Sequence, residues 1–362
     1  MKLPAVDVLR GIAALGVAWY HSRVDLWVGF KAIQANPAEF TGFDRALSWF
    51  SLPISQMGSM VMLFFVLSGF CIHLPIAGKG RMIDWRAYAV RRFFRIYPAY
   101  FATLLLCLAG AGILFWHRMG QSPALAEYAT SAFMLQNWVW GHQVGMNPSL
   151  WSIPVELELY LVYPILLWIH IRFGFRCALA FTLVCTVFGW VFFLFGWENL
   201  WGSFFRYAII WNAGAWLAER FVSGNLPRWT IWHAIAMFGV FGLSMLAGLA
   251  GIDSYHISYG WGFSSFLLLW WSLGLGETFF KRPSVLLRWL GFCGMVSYSI
   301  YLLHFPFFRL LGAIWTGVFG GKPESFLVPT LGVVLVVPIA WLFYRLVEEP
   351  ALKIGRRLAG RA

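Results

Sequence analysis

Residues 6–23 read VDVLRGIAALGVAWYHSR, a run of helix formers apolar on nearly every side that still holds Asp7, Arg10 and His21. A helix apolar all round belongs in a core or a bilayer, not on a wet surface. The rest of the chain decides between the two. Of its 362 residues 60% are hydrophobic and only 12% charged, more apolar surface than a water-soluble domain of this length can hide. Continuous apolar runs near twenty residues recur from end to end, the length that crosses a hydrocarbon core. They are unbroken, whereas the strands of a membrane barrel alternate. The expected fold is all-α: a polytopic membrane protein, one integral domain over residues 1–362, with the lipid bilayer as its solvent.

Ten spans are predicted, at 4–25, 54–76, 97–116, 150–170, 177–196, 203–219, 229–250, 257–276, 290–311 and 326–347. The apolar stretch at 130–140 is too short to cross and reads as interfacial or re-entrant. The net charge of +12 fits cytoplasmic loops rather than nucleic acid, because Lys and Arg collect on the inner side of membrane proteins. Lys79, Arg81, Arg86, Arg91, Arg92 and Arg95 fall in one loop; Arg172 and Arg176, Arg220 and Arg228, then Lys281, Arg282 and Arg288 in others. Lys353, Arg356, Arg357 and Arg361 close the chain. Ten spans with both termini cytoplasmic put all of these on one side and leave Arg23, Lys31, Arg45, Arg118 and Lys322 on the other. The N-terminus lacks a basic leader and is expected to be a retained first span. The five cysteines are scattered without a C-x-x-C, so they read as small core residues, with no disulfide and no metal site expected.

Ionisable groups at membrane depth are costly and mark function. Arg10 and His21 are eleven residues apart, and eleven steps of ~100° return to nearly the same face, roughly 16 Å along the axis. One helix face thus carries a cation near the cytoplasm and an imidazole in the outer half. Asp7, one turn before Arg10, is positioned to pair with it. In WSIPVELELYLVYP, Ser152 suits an N-cap, Pro154 suits the first turn, and Glu156 shares a face with Tyr160 and Tyr163. Glu156 reads equally well as an acid stabilised by the helix dipole. In VSYSIYLLHFP, Ser297, Tyr301 and His304 share a face, either as a site or as a hydrogen-bonded packing stripe. The depths expected for His21, Glu156 and His304 coincide in the outer half. Arg92 and Arg95, one turn apart in RRFFRIYPAY, suit phosphate, although positive-inside charge alone accounts for them. No phosphate-binding loop, H-E-x-x-H, G-x-S-x-G or G-x-G-x-x-G occurs.

Taken in order, VDVLRGIAALGVAWYH, FFVLSGF, RRFFRIYP, WSIPVELELYLVYP, YSIYLLHFP and YRLVEEP resemble the motifs of the acyltransferase-3 family of integral membrane acyltransferases. Leu159 stands where that family usually has Phe, and Glu349 departs from its usual basic or polar residue. The resemblance implies transfer of an acyl group, usually acetyl, from cytoplasmic acetyl-CoA or another acyl-CoA to a hydroxyl of an extracytoplasmic polysaccharide or glycolipid at the inner membrane. It implies His21 as the catalytic histidine, Arg10 as its partner, and Arg92 and Arg95 facing the CoA phosphates. Glu156 and His304 match motif positions of less settled role. Some members add a C-terminal serine-hydrolase-like domain; this chain is expected to act without one. His21 is expected to deprotonate the acceptor or to carry the acyl group itself. The alternative is a transporter or flippase of a lipid-linked sugar, with His21, Glu156 and His304 as a proton relay.

Overall fold

With lipid outside, each backbone N–H and C=O must be satisfied within its own segment, and the apolar runs accordingly fold as helices. The computed structural model describes residues 3–80, 83–117, 119–122, 124–139, 143–276, 279 and 283–360. No strand occurs among them. Arg81, Arg118, Lys281, Arg282 and Arg361 of the charge pattern lie outside the described residues.

Helix α1 spans Pro4–Leu26, and two shorter helices follow, α2 (Phe30–Ala35) and α3 (Gly42–Ile54). Then come α4 (Val61–His73), α5 (Trp85–Trp116), α6 (Leu125–Ala132), α7 (Ser152–Phe173), α8 (Phe175–Leu194), α9 (Glu198–Trp201) and α10 (Phe204–Val222). The chain continues with α11 (Ile231–Leu249), α12 (Ser254–Gly274), α13 (Val285–Met295), α14 (Ser297–Phe319), α15 (Leu327–Phe343) and α16 (Glu349–Ala359).

Among the described residues, 7 helices are long and apolar enough to cross a membrane, so the protein is a multi-pass membrane protein. Three further predicted spans coincide with α1, α10 and α12, of 23, 19 and 21 residues, which are not among those seven. Each carries polar groups toward the protein interior: Arg10 and His21, Arg206 and Asn212, and a serine series from Ser258 to Ser272. The expected count of about ten therefore exceeds the seven set by length and composition. The predicted span 290–311 crosses a break at Val296, where φ −98 and ψ 12 leave the helix and separate α13 from α14. The arginines at 86–95 belong to α5 rather than to a loop, because Asp84 caps that helix by accepting from Ala87 N at 3.0 Å.

Helix α1 lies at the middle of the bundle, against α13, α14, α15 and α4, and α4 packs along α10. Glycines let these backbones meet. A Cβ on Gly69 would fall 1.8 Å from the Trp211 carbonyl oxygen, and one on Gly214 would fall 1.9 Å from that of Val66. Gly294 receives the Asp7 carbonyl in the same way, which places Asp7 at the α1–α13 contact. Small residues at crossing points are how membrane helices gain dispersion contact where lipid gives no hydrophobic drive. Outward faces stay apolar, with Trp232, Phe238, Leu243 and Leu246 of α11 exposed. Cys107, Cys185 and Cys293 are buried as expected of small core residues, whereas Cys177 is exposed; all five are free.

Candidate active site

Two cavities lie along α1, one toward each end of the bundle. The inner cavity, about 90 Å³, is lined by Arg10, Ser68, Arg92, Arg95, Glu156 and Tyr160, among others. The outer cavity, about 420 Å³, is lined by Tyr20, His21, Gln56, Trp151, Arg206 and Tyr207, among others. Val61 and Tyr301 line both and form the partition. The stripe predicted on α1 is thus realised: Arg10 faces one chamber and His21 the other.

His21 Nδ1 lies 2.9 Å from His304 Nε2. His304 Nδ1 lies 3.1 Å from the Ile300 carbonyl oxygen, which can only accept. His304 Nδ1 is therefore the protonated nitrogen of that ring, and in the neutral pair its Nε2 must accept from His21 Nδ1–H. The proton positions follow from the partners, and they leave His21 Nε2 with its lone pair free at the outer cavity. Aromatic packing holds both rings: His21 stacks on His304 at 5.0 Å and tilts against Phe305 at 4.9 Å.

A proline explains how α14 is held here. Pro306 has no N–H, so the carbonyl of Leu302, four residues back, loses its helix partner. Asn147 Nδ2 donates to it at 2.8 Å and ties the 3-10 turn Pro148–Trp151 to α14. Pro164 acts likewise in α7, freeing the carbonyl of Tyr160, which accepts from Tyr88 Oη at 3.2 Å. Tyr301, one turn before His304, donates to the Ser149 carbonyl at 2.7 Å and lies 2.6 Å from Ser152 Oγ. Ser152 is thus not the N-cap that its position suggested. The 3-10 turn runs straight into α7, Trp151 takes the cap position with φ −55 and ψ −30, and the Ser152 hydroxyl is spent sideways on Tyr301.

Glu156 stands apart from the histidine pair. It accepts from Tyr160 Oη at 2.5 Å and from Ser68 Oγ at 3.0 Å, and Trp211 Nε1 donates to Ser68 at 3.2 Å. Glu156 is one turn inward of Ser152, and His304 nearly one turn outward of Tyr301, so the two differ by about 10 Å in depth. The expected common level of His21, Glu156 and His304 therefore holds for the histidines and fails for the glutamate. Counting residues from a span's start misjudged it, because α7 enters through a buried 3-10 turn.

The two arginines of RRFFRIYP also separate. Arg95 Nη1 pairs with Glu348 Oε1 at 2.5 Å, while Ser299 Oγ donates to Glu348 Oε2 at 2.6 Å. Glu348 is fully buried and sits on the single π turn, Tyr344–Glu348, that joins α15 to α16. Arg92 makes no ion pair; its guanidinium lies 5.8 and 5.7 Å from the Tyr88 and Tyr160 rings, and its Nε is buried without a hydrogen-bond partner. Arg10 and Arg92 are thus the cations of the inner cavity without a carboxylate partner among the described residues.

Two further residues escaped the sequence reading. Glu348 was quoted within a motif but given no role. Arg206 lies inside a predicted span, and the rule that intramembrane charges are functional singles it out. It is buried, donates to Ser258 Oγ and the Ser254 carbonyl at 3.3 and 2.5 Å, and is caged by the Trp201, Tyr207 and Tyr255 rings at 4.8 to 5.3 Å.

The chain is similar in sequence to several known proteins. Nodulation protein 10 of Rhizobium leguminosarum bv. viciae is 26% identical over 98% of this chain and 95% of its own length. The putative peptidoglycan O-acetyltransferase YrhL of Bacillus subtilis is 28% identical over 46% of this chain and 24% of its own length. Acyltransferase MdmB of Streptomyces mycarofaciens is 28% identical over 52% of this chain. The chain thus spans 24% of the Bacillus protein's own length and 46% of the Streptomyces protein's. No solved structure matches. The family described as an acyltransferase domain matches residues 3–345, nearly the whole length, and the chain belongs to the acyltransferase-3 family of membrane acyltransferases.

Proposed function

We propose that this protein is an O-acyltransferase of the inner membrane that moves an acyl group, acetyl in the first instance, from cytoplasmic acyl-CoA to a hydroxyl of an extracytoplasmic or lipid-linked sugar. Counting α1, α10 and α12 as spans gives ten crossings, both termini inside, and a basic end facing the cytoplasm. The observation that carries the reading is the free Nε2 of His21, oriented by His304 in the outer cavity, across the Val61 and Tyr301 partition from a cationic inner one.

The donor enters from the basic end. Its phosphates are polyanionic and suit Arg92 and Arg10, the cations lacking a carboxylate; Arg95 and Glu348 form the wall behind them. The inner cavity is smaller than the usual 300–1,000 Å³ of ligand pockets, so the pantetheine arm needs side chains at the partition to move. The acceptor enters the outer cavity, where Trp151 and Tyr207 offer aromatic faces and Arg206 a buried cation. His21 Nε2 then takes the acceptor O–H proton as the oxygen attacks the thioester carbonyl. The C–S bond breaks, and the proton leaves with the CoA thiolate. The same Nε2 is equally placed to attack the thioester first and hand the acyl group on.

Purified protein in lipid nanodiscs, given radiolabelled acetyl-CoA and cell-envelope glycans, tests this. Label on the glycan, lost in His21→Ala, is expected. No label on any glycan, with the glycan instead moved across sealed vesicles, establishes the flippase in its place. Label on His21 itself before acceptor is added identifies the acyl-histidine route.

A further inference from the structure

Three side chains from distant parts of the chain converge at the basic end of the bundle, at the opposite end of α4 from the His21 cavity. His73 closes α4, His170 lies in the last turn of α7, and Glu219 lies in the last turn of α10. Glu219 Oε1 is 2.7 Å from His73 Nε2 and 3.1 Å from His170 Nε2. The three candidate ligand atoms lie within 4.8 Å of one another.

The outward atoms of two of the three are held as well, while His170 Nδ1 is buried without a hydrogen-bond partner. His73 Nδ1 lies 3.0 Å from Tyr163 Oη, and Glu219 Oε2 accepts from Gly78 N–H at 3.1 Å. Each of these two residues therefore turns one atom to a common centre while its other atom is anchored. Metal ligands are oriented in this way, with a second partner fixing the ring or carboxylate behind the coordinating atom. We propose that His73, His170 and Glu219 bind one Zn²⁺ ion.

The distances suit the ion. Bonds of about 2.0–2.1 Å in a tetrahedral site put ligand atoms about 3.3 Å apart, so the His73–Glu219 pair, now 2.7 Å, opens by about 0.6 Å and the His170–Glu219 pair, now 3.1 Å, by about 0.2 Å, while the two imidazole nitrogens already lie within 4.8 Å of each other. Two imidazoles and a carboxylate are a donor set that suits zinc and leaves one position for water. Access is asymmetric. The His73 side chain is 4% exposed, while those of Glu219 and His170 are 20% and 21% exposed, so the ion and its water reach the cluster from that side.

The consequence is mechanical. The ion clamps the inner ends of α4, α7 and α10, which higher up carry Ser68, Glu156 and Trp211 of the inner-cavity network. His73, His170 and Glu219 line neither cavity and act through the helices they hold. The site stands against the expectation of no metal, which rested on scattered cysteines and said nothing of histidines brought together by the fold.

The test uses full-length protein purified with a tag free of histidine and metal counted by mass spectrometry. About one zinc per chain is expected, falling to background in His170→Ala and Glu219→Gln. Tyr163→Phe keeps all three ligands and should weaken zinc binding about tenfold. Because a ligand variant can fail to fold, wild-type protein stripped with chelator is also titrated with zinc chloride. A rise in melting temperature that saturates at one equivalent supports the site. A stripped protein whose melting temperature zinc leaves unchanged, or zinc retained equally in wild type and folded ligand variants, overturns it.

Discussion

Replacing Arg95 by Met should destabilise the protein far more than replacing its partner Glu348 by Gln, although both changes remove the same ion pair. The Glu348 side chain is 1% exposed and that of Arg95 28%. Without the guanidinium the carboxylate keeps only the Ser299 hydroxyl, in a site closed to water. Breaking a buried pair from that side costs about 3–5 kcal/mol. Glu348→Gln leaves a neutral amide whose oxygen still accepts from Arg95 while its NH2 donates to the Ser299 hydroxyl oxygen. The guanidinium keeps its contact over the Tyr298 ring at 5.4 Å and reaches solvent on its open side. Only charge assistance is lost, about 1–2 kcal/mol. The double variant should cost less than the two single changes together, because no unpaired charge remains. Unfolding by SDS in mixed micelles, followed by tryptophan fluorescence, measures each difference. Equal costs for the two single variants, or a neutral Arg95→Met, would refute the assignment of Arg95 as half of a buried pair.

Arg92→Met should instead leave stability nearly unchanged and raise KM for acyl-CoA by about 10–100-fold, the worth of one hydrogen bond to a charged group, with kcat little altered; initial-rate kinetics over donor concentration checks this. His304→Ala, by removing the acceptor that holds His21 Nδ1–H, should lower kcat about 100-fold while KM for donor stays within about twofold, and a full-speed variant would disprove the tautomer argument. Gly214→Val should prevent the α4–α10 contact, because even its Cβ would meet the Val66 carbonyl; loss of monodisperse protein in size-exclusion chromatography is the expected outcome.

Much of the site was legible because lipid makes polar residues conspicuous. Arg10 and His21 could be placed on one face of α1 from their spacing alone, since helical phase is preserved over a straight, unbroken helix. His304 could be placed near the depth of His21 although its predicted span crosses the break at Val296, because that break is a single residue and alters the rise little. Glu156 could not, because the entry to α7 is a 3-10 turn whose buried position depends on Asn147 capping the carbonyl that Pro306 frees on another helix. The split between Arg92 and Arg95 was equally hidden: its cause, Glu348, is 253 residues from Arg95. His73, His170 and Glu219 each sit inside or at the end of an apolar run, and nothing local joins them.

The sequence by itself determined the solvent of this protein, its helical architecture and the short set of charges that had to face inward, because transfer free energy is a property of each residue and needs no partner. Which of those charges neutralise one another, which stay without a carboxylate partner, and which imidazole nitrogen is left bare were decided only by the tertiary structure, because pairing depends on distances between helices that no spacing along one helix contains.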